Sequence, residues 1–194
     1  MHVGLGALRE AAEEVAGEIR AAGGDADVFL ADIANAEAVS AMGEAVMKRF
    51  GKIDILVLNA SQRREVLFKD MTFEQWRNTM SITLDGSFHC IKACLPSMLA
   101  HRGGNIVTLA GDSVLVGGNR KSHNTTAKSG LVGLTRALAK ELAADGIRVN
   151  CVAPGFIATP MTDVLTDDQK KGILGRVPAD RLGTPEEIAA GVVY

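Results

Sequence analysis

The stretch Ile53-Asp-Ile-Leu-Val-Leu58, followed at once by Asn59-Ala60-Ser61, sets the fold. The run is apolar at every position but Asp54 and is too short for a stable helix, so it reads as a strand. A strand with apolar side chains on both faces belongs inside a parallel sheet. Parallel strands need long crossovers, and the flanking sequence supplies them. Upstream, Val39, Met42, Val46 and Phe50 recur at helical spacing over residues 35–50. Leu8, Ala11, Val15, Ile19 and Ala22 do the same over 8–22, where Gly23-Gly24 stops the helix. A short strand is expected between these helices at 27–31. Downstream, Thr72-Phe-Glu-Gln75 is a capping box opening a helical region that runs to about residue 101, bent near Asp85-Gly86. Residues 105–110 and 147–152 read as further strands and 123–144 as the helix between them, while Thr184-Pro-Glu-Glu187 caps a last helix. Strands alternating with crossover helices predict one α/β domain over 1–194, a doubly wound parallel sheet with helices on both faces. Such sheets bind ligands at the carboxyl ends of their strands.

Composition narrows the partners. A formal net charge of −2, with no long run of one sign, gives no electrostatic case for nucleic acid or an anionic membrane. No apolar run reaches the length of a membrane span. Cys90, Cys94 and Cys151 are odd in number and form no CxxC pair, which argues against a disulfide framework and fits a reducing, cytoplasmic setting. Cys90 and Cys94, four apart on an apolar helix, read as core, and no metal site is expected.

The strand ends carry the functional signal. In chain order they are Asp32-Ile33, Leu58-Asn59-Ala60-Ser61, the helix segment His123-Asn-Thr-Thr-Ala-Lys128, and Pro154-Gly155-Phe-Ile157-Ala-Thr159. Together these resemble the short-chain dehydrogenase/reductase family, in particular its bacterial 3-oxoacyl reductase-like members, and the resemblance spans essentially the whole sequence. It implies a Rossmann-like sheet and NAD(P)(H)-dependent hydride transfer at a small-molecule carbonyl or alcohol. It also implies cofactor contacts at Asp32, Ile33, Asn59, Ala60, Lys128, Pro154, Gly155, Ile157 and Thr159, and a homo-oligomer formed through the long helices ending near His101 and beginning near His123. Small residues Gly130, Gly133 and Ala137 would let those helices approach closely.

Departures from the family pattern are as informative. Asn124 and Lys128 leave a helix on one face, and the resemblance puts a proton-transferring Tyr where Asn124 stands. Gly111 takes the place of a catalytic Ser, and Thr83 that of a supporting Asn. Of the four catalytic places, only Lys128 is kept. The sequence's single tyrosine is Tyr194, at the far end. The expectation is a degenerate site with weak or absent NAD or NADP binding, the alternative being a non-catalytic binding or assembly subunit. Ser113 and His123 stand beside the lost positions and suggest a rearranged acid, although helix neighbours point about 100° apart. Asp112, Ser113 and His123 also hint at a hydrolytic triad, against which stands the absence of a Gly-x-Ser-x-Gly elbow.

Family members open with a buried strand and a glycine-rich turn that cradles pyrophosphate. Gly4 and Gly6 do not make that turn, so the sheet is expected without its first strand and its last. Finally, Gln62-Arg63-Arg64 and Gly118-Asn-Arg120-Lys121 place four cations where one rim of the site is expected, which would favour an anionic ligand.

Overall fold

The computed structural model describes residues 5–62, 64–163 and 165–194. Its sheet has three parallel strands in the order β1 (Ile55–Leu58), β2 (Gly104–Leu109) and β3 (Ile147–Val152). Leu56 pairs with Ile106, which pairs with Val149, so these three share one face with Leu58 and Ile147. Three helices cover that face, namely α2 (Ala36–Phe50), α4 (Gly86–His101) and α6 (Ser122–Glu141). Val39, Cys90, Ile91, Met98 and Leu142 close the core over it. The Cys pair behaves as core material: Cys90 is buried, and burial helped by its neighbour pushes the Cys94 thiol up to about 11.

The opposite face is unevenly covered. Val107 and Leu109 are buried and α9 (Pro185–Val193) lies near Val152, but Ile55 and Val57 on β1 are 61% and 44% exposed. Thus the strand buried on both faces is β2, and β1 is an edge strand, contrary to the reading of residues 53–58. Among the described residues little packs over the side of β1 that carries Ile55 and Val57, and only β2 has a strand on each side.

Residues 27–31, expected to be a strand, form no strand pairing. A strand exists only with a hydrogen-bonded neighbour, and none of the described residues supplies one. The segment is held by side chains instead. Arg49 bridges Asp25 and Asp27, Phe29 meets Phe50 edge-on, and His89 Nδ1 sits 3.1 Å from the Ile33 carbonyl oxygen. Helix α1 (Leu5–Ala21) stops where expected, with Gly23 at φ +87°. Its anticipated core stripe is not buried, however: Val15 and Ile19 face solvent and Ala16 is covered.

The helical region after residue 70 is α3 (Phe73–Met80), a π-turn at Ser81–Asp85 and then α4, with the Thr72–Gln75 capping box in place. The bend expected near Asp85-Gly86 is this π-turn, which carries Thr83. After β2 comes a four-residue helix, α5 (Ser113–Val116), and after β3 two helices precede α9: α7 (Pro160–Asp163) and α8 (Asp167–Leu174). Helix α6 closes with a 3-10 turn at Ala143–Asp145, so the helical span read from the sequence is right within a few residues.

Candidate active site

The carboxyl ends of the three strands are laced together by backbone hydrogen bonds. Ala110 N–H donates to Val152 O at 2.8 Å and Asp112 N–H to Pro154 O at 2.9 Å, joining the ends of β2 and β3. The end of β1 is tied to α6, because Asn124 Nδ2 donates to Gln62 O at 3.2 Å. It is tied to the π-turn as well, through Ser61 Oγ and Thr83 Oγ1 at 3.3 Å. Thr83 is fully buried, and its carbonyl accepts from Ser87 Oγ at 2.7 Å.

The ends of β2 and β3 open on a cleft of about 790 Å³ whose lining includes Gly111, Asn124, Pro154, Gly155, Ile157 and Thr159. Six of the positions singled out in the sequence thus line one hollow. Gly111 is roomy: a Cβ placed there would meet nothing nearer than Ser113 Oγ at 3.9 Å and Pro154 O at 4.0 Å. Thr159 is fixed by Thr162, whose hydroxyl donates to the Thr159 and Ile157 carbonyls and accepts from the Thr159 N–H. The far wall comes from α8 through Gln169, Gly172 and Ile173, with Arg176 just after it, residues the sequence reading passed over. Their signal was available in Thr166-Asp-Asp-Gln169, which forms a capping box like the other two.

Other expected site residues lie elsewhere. Lys128 is 7% exposed and its ammonium donates to the Leu109 carbonyl, outside the cleft lining; burial lowers its pKa. Asp32 is exposed and accepts from Ala34 N–H at 3.0 Å, as an ordinary turn residue does. Ile33 packs against Gly86, and Asn59 and Ala60 are exposed. Pro154, Gly155, Ile157 and Thr159 therefore share one hollow, while Asp32, Ile33, Asn59, Ala60 and Lys128 lie outside its lining.

His123 is not a rearranged acid. It is fully buried, lies outside the cleft lining, and neither ring nitrogen makes a hydrogen bond, although the main chain of Arg64 is near. Burial lowers its pKa and holds it neutral. Asp112 and Ser113 do line the cleft, but without His123 no triad forms. Of the four cations expected on the rim, Arg120 and Lys121 line the cleft and Arg64 does not; Arg63 lies outside the described residues. Lys121 pairs with Glu65 at 3.7 Å, and Arg176 joins the cationic side. Gly4 also lies outside the described residues. Among the described residues, no group of three or more His, Cys, Asp or Glu is placed to hold a metal, and no helix is long and apolar enough to cross a membrane.

A family model described as enoyl-(acyl carrier protein) reductase matches residues 1–194. The chain is 39% identical over 186 residues to a 3-oxoacyl-(acyl-carrier-protein) reductase of Staphylococcus aureus, covering 96% of this chain and 76% of that protein. It belongs to the short-chain dehydrogenase/reductase family. The corresponding Haemophilus influenzae reductase is 44% identical over 163 residues, covering 84% of this chain and 67% of the relative. The crystal structure of gox2181 superposes with a TM-score of 0.88 at 32% identity, covering 94% of this chain and 73% of that one. The Rossmann-like α/β assignment therefore holds, carried here by three parallel strands.

Proposed function

We propose that this chain is an NAD(P)H-dependent reductase-type protein for acyl-thioester ligands in which protonation of a reduced ketone is impaired. The observation that carries this is Asn124 in the cleft beside Gly111, with no phenol among the residues lining it. Reduced NAD(P)H, when bound, supplies the hydride. Pro154, Gly155, Ile157 and Thr159 would lie against its nicotinamide end. A ketone that accepts hydride becomes an alkoxide and needs a proton at oxygen. The Asn124 amide can donate a hydrogen bond there but cannot release the proton. Loss of a positioned general acid is worth about 10²–10⁴-fold in rate.

A second reading is favoured by the same amide. Reduction of a carbon–carbon double bond conjugated to a thioester puts hydride on the β-carbon and negative charge on the thioester oxygen, and water then protonates the α-carbon. That chemistry asks the protein for a hydrogen-bond donor and no acid at oxygen, which Asn124 satisfies. The family model's own description, an enoyl reductase, agrees with it.

The test is NADPH oxidation with acetoacetyl-pantetheine and with crotonyl-pantetheine. Ketone turnover at least about 10²-fold below a tyrosine-bearing relative is expected, and ketone turnover equal to that relative's would sink the proposal. Faster reduction of the crotonyl thioester would select the second reading. No turnover with either substrate would point to a non-catalytic binding or assembly subunit, a role that suits the engagement of Lys128 with Leu109 O. A cytoplasmic homo-oligomer belongs to the same proposal, supported by Phe88 on α4 and Ala137 on α6, both exposed.

A further inference from the structure

Asn124 takes its orientation from residues outside the cleft lining. Its Nδ2 donates to the Gln62 carbonyl oxygen at 3.2 Å, and the Gln62 side chain in turn accepts from Asn78 Nδ2 through Oε1 at 2.5 Å. Asn124 lines the cleft, whereas Gln62 and Asn78 do not. We propose that Asn78, on α3, is a positioning residue that sets which end of the Asn124 amide faces the cleft, acting by way of Gln62. The inference rests on the reading above in which Asn124 donates to a thioester oxygen, and it adds the residue that aims the donor.

An asparagine side chain carries a donor nitrogen at one end of its amide and an acceptor oxygen at the other, and its terminal torsion is broad. Left alone, the Asn124 amide could turn either end to a ligand. The Gln62 carbonyl can only accept, so it engages the nitrogen end. That bond takes one Asn124 N–H. The second N–H and Oδ1 remain for the cleft, in an arrangement that lasts only while the Gln62 carbonyl keeps its place.

Gln62 has little local support. Ser61 and Gln62 belong to neither helix nor strand, and among the described residues the hydrogen bonds that reach them come from side chains. One hold is Ser61 Oγ on the buried Thr83 hydroxyl. Asn78 supplies the other, and its own base is firm. It sits in the last turn of α3 beside the buried Thr79 and Met80, and its carbonyl accepts from Ser81 Oγ at 3.1 Å and from the Ser81 N–H. Because α3 packs against α6, the path from Asn78 through Gln62 returns to the helix that carries Asn124. The amide is thereby held between two helices that are fixed on each other.

The experiment is heteronuclear NMR of the full chain, with the side-chain N–H pair of Asn124 assigned by its loss in Asn124→Asp. In Asn78→Leu that pair should shift, and its exchange with solvent should quicken by about fivefold, the effect of one ordinary hydrogen bond. Asn78 is exposed, so the main-chain signals of β2 should stay in place. Asn78→Asp should leave the Asn124 pair where it is, because Gln62 can turn its own nitrogen end to the new carboxylate. Gln62→Leu cuts the tie from the other side and should reproduce Asn78→Leu, with no further change when the two are combined. A role for Asn78 in α3 alone would not move the Asn124 signals. Turnover of crotonyl-pantetheine is the second readout, where Asn78→Leu should lower kcat about fivefold and leave KM unchanged. Asn124 signals unmoved in Asn78→Leu and Gln62→Leu, signals moved as far by Asn78→Asp, or an unchanged kcat in a chain that turns over would each overturn the proposal. The NMR readout needs no substrate, so the reductase reading can fail while this one stands, and unmoved signals beside normal turnover would show the reverse.

Discussion

At the scale of single residues, the proposal of impaired ketone chemistry turns on Gly111, Asn124 and Thr83, and two of these can be tested by substitution. Gly111 has room for a serine side chain, and Asn124 already lines the cleft. The pair Gly111→Ser, Asn124→Tyr should therefore raise acetoacetyl-pantetheine reduction by about 10² or more, with each single change giving much less; NADPH oxidation measures it. Thr83 differs, because its hydroxyl is fully buried against Ser61, so a longer Asn has no free volume there. His123 gives a pH signature. Its folded pKa lies below the ordinary 6.5, so the unfolded chain binds the extra proton. The stability tied to this neutral imidazole is whole above about pH 6.5 and is lost as pH falls from there toward the folded pKa. Melting temperature should drop across that window, and His123→Leu, similar in volume, should flatten the drop.

Among the secondary-structure elements, the capping boxes decide how firmly the cleft is walled. Thr166 accepts from Gln169 N–H at 3.3 Å, and Gln169 Oε1 accepts from Thr166 N–H at 2.9 Å, starting the helix that forms the far wall. Thr166→Ala should cost about 1 kcal/mol. It should appear as faster hydrogen exchange in α8 with β2 unchanged. The boxes at Thr72 and Thr184, the spacing of α2 and the limits of β3 were read from the sequence because each is set by neighbours along the chain. The strand at 27–31 was misread for the opposite reason. Its residues suit a strand, but strand formation is a property of two segments, and local composition says nothing of the second. The same holds for α1, whose apolar stripe is plain in sequence and uncovered in the fold.

For the whole molecule, the question is which surfaces meet a second copy. Gly130, expected to let helices approach, is already filled: a Cβ there would lie 2.9 Å from Leu84 Cδ2 of the same chain. Gly133 has nothing within 4 Å, and Ala137, one turn on, is exposed. Sedimentation should show a dimer, and Ala137→Arg should shift it toward monomer, while a monomer at high concentration in the unaltered chain would count against the association. The sequence by itself determined the family, the order of the three paired strands with their crossover helices, and the caps at Thr72 and Thr184, because those elements are set by neighbours along the chain. Only the tertiary structure decided that Lys128 turns to the Leu109 carbonyl, that His123 is sealed away from the cleft beside Asn124, and that α8 and Arg176 complete the walls. Those outcomes depend on which side chains share a buried volume, a matter of three-dimensional packing that no spacing along the chain encodes.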